Sequence, residues 1–269
     1  MRNWILTDLC DDNLMESIER NTTEHLLFFA ARHPSMDVVM QEDFILVDTK
    51  IPSHFFNYVC TTRFVPEDIE SRIHRTVDYF KERNTPFSWL IGPTIPRTSF
   101  GPLLEKTGLN LQEHSYSMIL NLHNFKKKLR YIPGFRVQQA LTKSAIHDVG
   151  LIYSTLRQEK EAVIAYFNKV ATLAFHSSDP IRIFVGYFHD EPAIVGELYL
   201  GAGIAGMRCG IRRQFIEHDK EFTIDLVTKM LLQAKEQGYH WAVIKAFERD
   251  SDYLSQMGFK HYCEFSRYQ

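Results

Sequence analysis

Ala205-Gly206-Met207-Arg208-Cys209-Gly210-Ile211-Arg212 opens the stretch, closing at Phe259, whose order of elements decides the fold. These eight residues read as a strand. After a short connection, Phe222, Leu226, Met230 and Ala234 recur every fourth residue, and Val227 and Leu231 widen the stripe, which is the pattern of an amphipathic helix. Gly238 stands where that helix would end in a left-handed cap. Trp241-Ala242-Val243-Ile244-Lys245-Ala246-Phe247 then reads as a continuous apolar strand, buried on both faces. A short helix (250–257), Gly258 and a last strand (259–265) complete the stretch, with a βαβ-like step over residues 205–247.

Working outward, two helical patterns (144–157 and 159–175) and the strands 181–188 and 193–200 precede this stretch. Gly201 and Gly203 read as the hairpin turn into the next strand. The first half begins with helical patterns at 14–20 and 24–32 and a strand at 43–47. Ile69, Ile73, Val77 and Phe80 fall at helical spacing behind Pro66, with Glu67 and Asp68 adding acid to the first turn. A short strand, 86–91, a helix from about Phe100 that Gly108 terminates, and a strand at 116–122 follow. Lys126-Lys127-Lys128-Leu129-Arg130 and Pro133-Gly134 break the pattern and read as a solvated linker. The expected organisation is therefore α+β, with residues 1–123 and 135–269 as two domains joined by 124–134.

The chain has 269 residues, 31 Lys+Arg against 33 Asp+Glu, 45% apolar residues, 13 Gly and 10 Pro. Such a composition excludes a disordered, collagen-like or disulfide-scaffold chain. With a net charge of −2 there is no basic footprint, so nucleic acid is not an expected partner. Cys10, Cys60, Cys209 and Cys263 form no Cys-x-x-Cys pair and read as reduced thiols. No signal-peptide pattern and no membrane-length apolar run is present, and a cytoplasmic protein without membrane contact is expected.

Motifs with strong chemistry are mostly missing. Gly201-Ala202-Gly203-Ile204-Ala205-Gly206 spells Gly-x-Gly-x-x-Gly, but no helical stripe follows it, so a nicotinamide cofactor is not indicated. The 12 His lack metal-binding spacing, Gly-x-Ser-x-Gly is absent, and no metal is expected. Asn21-Thr22-Thr23 matches a glycosylation sequon and reads as helix-boundary polarity.

Taken whole, the segment 205–259, with Gly238-Tyr239 after its helix and Tyr253-Leu254-Ser255-Gln256-Met257-Gly258-Phe259 near its end, resembles the GNAT superfamily of acyl-CoA-dependent N-acyltransferases. Phe87-Ser88-Trp89-Leu90-Ile91-Gly92-Pro93, Leu103-Leu104-Glu105-Lys106-Thr107-Gly108-Leu109 and Met118-Ile119-Leu120-Asn121-Leu122 look like the degenerate N-terminal half of tandem GNAT proteins. The resemblance covers most of the chain. It implies two GNAT-like halves, each a mixed, mostly antiparallel sheet flanked by helices. It also implies acetyl-CoA as cosubstrate and an amine, small-molecule or peptide, as acceptor.

By the same resemblance, the strand Met207–Arg212, with Gly210, Ile211 and Arg212, pairs with the pantetheine arm. The helix start at His218, Lys220, Glu221, Phe222 and Thr223 holds the pyrophosphate. Tyr253 acts as general acid toward the leaving thiolate, which suits a phenol of ordinary pKa about 10. Glu197, an acid in an apolar strand, is a candidate base if burial raises its pKa, with an outward-facing strand acid as the plain reading; Glu248 is a further candidate. The chain departs from the family at the pyrophosphate loop, where 218–223 holds no glycine. A helix N-terminus still offers unpaired N–H groups and about half a positive charge, and Lys220, Arg212 and Arg213 are near in sequence. Glu217, Asp219, Glu221 and Asp225 oppose them. A carboxylate about 4 Å from a phosphate oxygen costs about 1 to 4 kcal/mol as the effective dielectric falls from that of water to about 20. Three readings stay open: an N-acyltransferase, acetyl transfer first; a catalytically inactive GNAT-like binding or regulatory protein; and a small-molecule binding module using the cleft between the halves.

Overall fold

The computed structural model describes residues 5–7, 11–60, 63–65, 67–247 and 251–269. The first part contains α1 (Asp11–Ala30), β1 (Asp37–Gln41), β2 (Phe44–Asp48), β3 (Tyr58–Cys60), α2 (Ile69–Glu82), β4 (Ser88–Ile91), α3 (Arg97–Glu105) and β5 (Leu111–Asn121). The second contains β6 (Phe135–Gln139), α4 (Lys143–Leu156), α5 (Lys160–Val170), β7 (Ile181–Phe188), β8 (Glu191–Gly201), β9 (Ile204–Ile211), α6 (Asp219–Glu236), β10 (Trp241–Ala246), α7 (Ser251–Met257) and β11 (Lys260–Tyr268).

These strands form one sheet in the order β1-β2-β3-β4-β11-β5-β10-β9-β8-β7-β6. Only β3/β4 and β9/β10 run parallel, so the architecture is α+β with a mostly antiparallel sheet, as expected. The two parts interleave at the centre. β11, the last strand of the chain, lies between β4 and β5, and β5 lies between β11 and β10. The expected boundary at 124–134 falls between β5 and β6. Its basic run lies along the second part, with Lys127 Nζ donating to Gln256 O (3.0 Å) and Arg130 N donating to Asp225 Oδ1 (3.1 Å).

Side chains alternate between the two faces of each strand. Val195, Tyr199 and Val243 join one core with α1, α4 and α5. Ile194, Leu198, Ala242 and Ile244 join another with α6 and α7, while Trp89 and Ile91 pack with α2 and α3. Consequently the sheet is buried on both sides through its middle. The β8–β9 hairpin turns at Ala202 (φ 49°) and Gly203 (φ 78°), both left-handed, the geometry of a two-residue type I′ turn. This is the expected hairpin and no dinucleotide loop. Gly108 (φ 91°) and Gly238 (φ 83°) end α3 and α6 in the left-handed conformation.

Two expectations need correction. The patterns at 14–20 and 24–32 are one helix, α1, and the sequon between them lies inside it. Asn21 is 2% exposed, and its Nδ2 lies within hydrogen-bonding distance of Tyr199 O (3.2 Å), Gly201 O (2.8 Å) and Ile204 O (2.9 Å). Buried against a hairpin, this amide is closed to glycosylation. β1, β3 and β6 are the unforeseen strands. β1 is an exposed edge without alternation, and β3 has three residues, too few to carry a pattern. Pro66, Cys10 and Glu248 lie outside the described residues. Among the described residues the other three cysteines form no disulfide, Cys60 and Cys263 being buried and Cys209 half-buried.

Candidate functional site

The β9/β10 ladder pairs Ala205 with Ala242, Gly206 with Val243 and Met207 with Ile244, and then stops. The next two residues are Arg208 and Lys245, and like charges set opposite one another oppose pairing. Each strand keeps its outer neighbour: β9 stays on β8 as far as Ile211, and β10 stays on β5 as far as Ala246. The two strands therefore part, leaving a groove of about 50 Å³. Gly210 and Ile211 line one wall, Ile244 and Phe247 the other, and Asp219, Thr223 and Tyr253 close its end.

The start of α6 stands at this groove. A 3-10 turn (Arg213–His218) leads straight into it and holds the Asp219 N–H on Ile216 O, while His218 at the N-cap supplies no side-chain bond to the N–H groups that follow. Thr223 is buried, and its hydroxyl donates to Asp219 Oδ1 (3.0 Å). Lys220 and Glu221 are exposed on the first turn. Phe222 is fully buried, stacked on Phe135 (4.2 Å between centroids) and on His218 (4.9 Å), so these two rings anchor α6 to the core. Arg212 turns away as well, donating to Pro192 O and Gln214 Oε1 (2.9 Å each). Of the sequence-derived candidates, the structure thus brings Gly210, Ile211, Thr223 and Tyr253 together on one groove.

Glu197 lies on the other face of the sheet, in a second cavity of about 160 Å³ under α1, α4 and α5. It is 8% exposed, which excludes the outward-facing reading. His25 Nε2 lies 2.9 Å from its Oε2, and Tyr153 donates its hydroxyl to Oε1 (3.0 Å). The direction of its pKa is the opposite of that expected. Burial alone would raise it, but the His25 and Tyr153 contacts and the Arg208 charge outweigh burial and hold it below the usual carboxylate value. Burial in turn lowers the His25 pKa, so the pair at neutral pH is a carboxylate beside a neutral imidazole.

Cys209, Lys245 and Phe247 line both the groove and this cavity, so the two meet at the parted strands. Lys245 was not legible as a site residue, because it sits in an apolar run that reads as core. Its side chain is 25% exposed and its Nζ donates to Glu113 Oε1 (2.6 Å). Burial, and then the Arg267 charge, push the Lys245 pKa down to about 7 despite that contact. Glu113 is held below its usual value because the Lys245, Arg267 and Arg157 charges overcome the effect of its burial. An isolated charge inside an apolar strand was the available signal for Lys245. What the sequence could not give was the pairing partner from β5.

A larger depression, about 790 Å³, lies at the opposite end of β10 beside Trp241 and Phe125, and no carboxylate lines it among the described residues. The chemistry is concentrated where the strands part. Among the described residues no group of three or more His, Cys, Asp or Glu is placed to hold a metal ion, and no helix is long and apolar enough to cross a membrane.

No protein-family profile matches the chain, and no curated protein is similar to it in sequence. Solved structures do match. A GCN5-related N-acetyltransferase from Kribbella flavida superposes with a TM-score of 0.65 at 11% identity, over 93% of this chain and 94% of the other. A tandem GNAT protein from the clavulanic acid biosynthesis pathway gives 0.58 at 12% identity, over 98% and 96%. A GCN5-related N-acetyltransferase from Sphaerobacter thermophilus gives 0.55 at 11%, over 86% and 81%. At these identities the likeness is one of architecture, and the chain has the GNAT fold, in the two-part arrangement also found in a tandem GNAT protein.

Proposed function

We propose that the protein is an acyl-CoA-dependent N-acyltransferase, with acetyl the first donor to test. The observation that carries this reading is the parting of β9 and β10 after Met207 and Ile244, with Tyr253 and the start of α6 at the end of the resulting groove. Acyl-CoA fits the residues present in two respects. Beyond Met207, β9 has no β10 partner for the backbone groups facing the groove, which suits an extended amide-bearing arm. The Asp219 N–H is already held on Ile216 O by the preceding turn, but the α6 start has no side-chain cap, so the N–H groups that follow suit an anion, with Lys220 exposed beside them. When bound, the thioester supplies an activated carbonyl carbon.

The chain's residues divide the remaining work. Lys245, at the junction of groove and cavity, accepts a proton from the acceptor ammonium, because a lysine lowered to about 7 is a base at neutral pH. Glu197 stays ionised and draws the ammonium into the cavity. Tyr253 donates its phenolic proton to the departing sulfur as the new C–N bond replaces the C–S bond. The inactive reading has one observation of its own: the Asp219 carboxylate lines the groove where a diphosphate would approach.

Titration of acetyl-CoA and longer acyl-CoAs against thermal unfolding tests the proposal. A ligand specific to the folded chain adds about 2.7 kcal/mol at one hundred times its dissociation constant. The expected result is such a rise, with release of free thiol once an acceptor is supplied. An unchanged melting curve at millimolar acyl-CoA would favour the inactive reading and remove the transferase.

A further inference from the structure

Alternation sends charged residues from five neighbouring strands to one face: Arg267 (β11), Glu113 (β5), Lys245 (β10), Arg208 (β9) and Glu197 (β8). Glu113 stands opposite Arg267 in register and holds Lys245; Glu197 stands opposite Arg208 but is engaged by His25 and Tyr153. Arg157 enters from the C-terminal end of α4, its guanidinium 4.0 Å over the Phe55 ring, while Arg267 lies 5.5 Å over the same ring. Three guanidinium groups therefore line the 160 Å³ cavity.

The protein does not satisfy them. Among the described residues, the guanidinium groups of Arg157 and Arg208 make no hydrogen bond and no ion pair. The buried Arg267 Nε has no hydrogen-bond partner, its nearest carboxylate oxygen being 4.0 Å away on Glu113. Glu159, the remaining acid near Arg157, is occupied by the Ser53 hydroxyl and the His54 N–H. Half-buried guanidinium groups without hydrogen-bond partners carry a desolvation cost, and a planar carboxylate is one anion their forked donors match. At about 160 Å³ the cavity suits a small ligand. Glu197 in its wall supplies the opposite sign.

We propose that this cavity binds the acceptor as a small zwitterion, an amino acid-type amine whose carboxylate is clamped by Arg157, Arg208 and Arg267 and whose amine faces Glu197 and Lys245. The amine's fate rests on the transferase reading; the carboxylate clamp rests on the arginines alone.

The test is calorimetric and thermal-shift binding to the full chain without acyl-CoA. The probes are the free L-amino acids, each matched to its α-amide, with inorganic phosphate as a further probe. One or a few acids are expected to bind while their amides do not. Arg208→Gln and Arg267→Gln are expected to weaken binding at least tenfold while keeping a cooperative melt. Arg208→Lys, which keeps the charge and loses the fork, is expected to be weakened too. Should the variants not fold, acetate added to the wild type must displace the bound acid. Amides binding as well as acids, no amino acid binding, or phosphate alone binding would each overturn the proposal. Acid binding without acyl-CoA binding removes the transferase and leaves the clamp; acyl-CoA binding without acid binding does the reverse.

Discussion

At the scale of single residues, Tyr253 and Lys245 carry the proposed proton transfers. Tyr253→Phe keeps the ring and removes only the hydroxyl, so steady-state kinetics should show turnover falling by about 10²- to 10⁴-fold, the usual worth of a general acid, with the donor KM little changed. Equal turnover in the two proteins would assign the hydroxyl to packing. Lys245 predicts a pH dependence. As a base it must be unprotonated, so kcat/KM should climb with pH and level off above about 7, and Lys245→Gln should lose that inflection. The same group acts on stability. Its folded pKa lies below the free value of 10.5, so between about 7 and 10.5 the unfolded chain binds more protons. Stability from this group therefore rises with pH across that window and is lost as pH falls through about 7. Relative to Lys245→Gln, the wild type should lose melting temperature as pH falls from 9 to 7 and change little more below 7.

At the scale of elements, the placement of α1 across the β8–β9 hairpin positions His25 against Glu197, and Asn21 is what fixes it. Gly206 faces Asn21 directly, and a Cβ there would run into the Asn21 carboxamide, which cannot swing away without leaving its carbonyl partners. Asn21→Ala strips the same carbonyls of a buried donor. Denaturant titration should show Asn21→Ala losing about 1–3 kcal/mol, the cost of leaving a buried polar group unpaired. Gly206→Ala should be destabilised at least comparably. A neutral outcome for both would mean that α1 is held by its apolar face alone. The 51–57 loop is fixed in a similar way. Asn57 Nδ2 reaches Ile51 O (2.7 Å), Ser53 O (3.0 Å) and Pro86 O (2.9 Å), and Phe56 stacks on Tyr166 at 3.8 Å. Rigid backbone at Phe55 gives Arg157 and Arg267 their common platform.

At the scale of the whole molecule, the interleaved centre of the sheet joins the two parts. Without β11, β4 and β5 lose their shared neighbour; without β5, β10 loses its antiparallel partner. The chain should therefore melt in one transition, and residues 1–134 or 135–269 expressed alone should expose unpaired strand edges and aggregate. Two resolved calorimetric transitions, or soluble and cooperatively folding halves, would show that the parts are independent. The same interleaving builds the site from both parts. His25, Phe55 and Glu113 of the first part meet Tyr153, Glu197, Arg208, Lys245 and Arg267 of the second because β5 lies between β10 and β11.

Local spacing determined much of this protein. The four-residue recurrence from Phe222 to Ala234 specifies α6, the apolar run at 241–246 specifies β10, and the glycines at 108, 203 and 238 mark chain reversals, because each is a property of neighbours along the chain. Resemblance in the same stretch pointed to Tyr253, Gly210 and Thr223, which the groove brings together. Tertiary structure alone decided the rest. The direction of the Glu197 pKa depends on His25, distant in sequence, and the role of Lys245 depends on Glu113 and Arg267, delivered by strands that pair across the sheet. Charge interactions act through space, and no period along the chain records which distant carboxylate or guanidinium a buried group will meet.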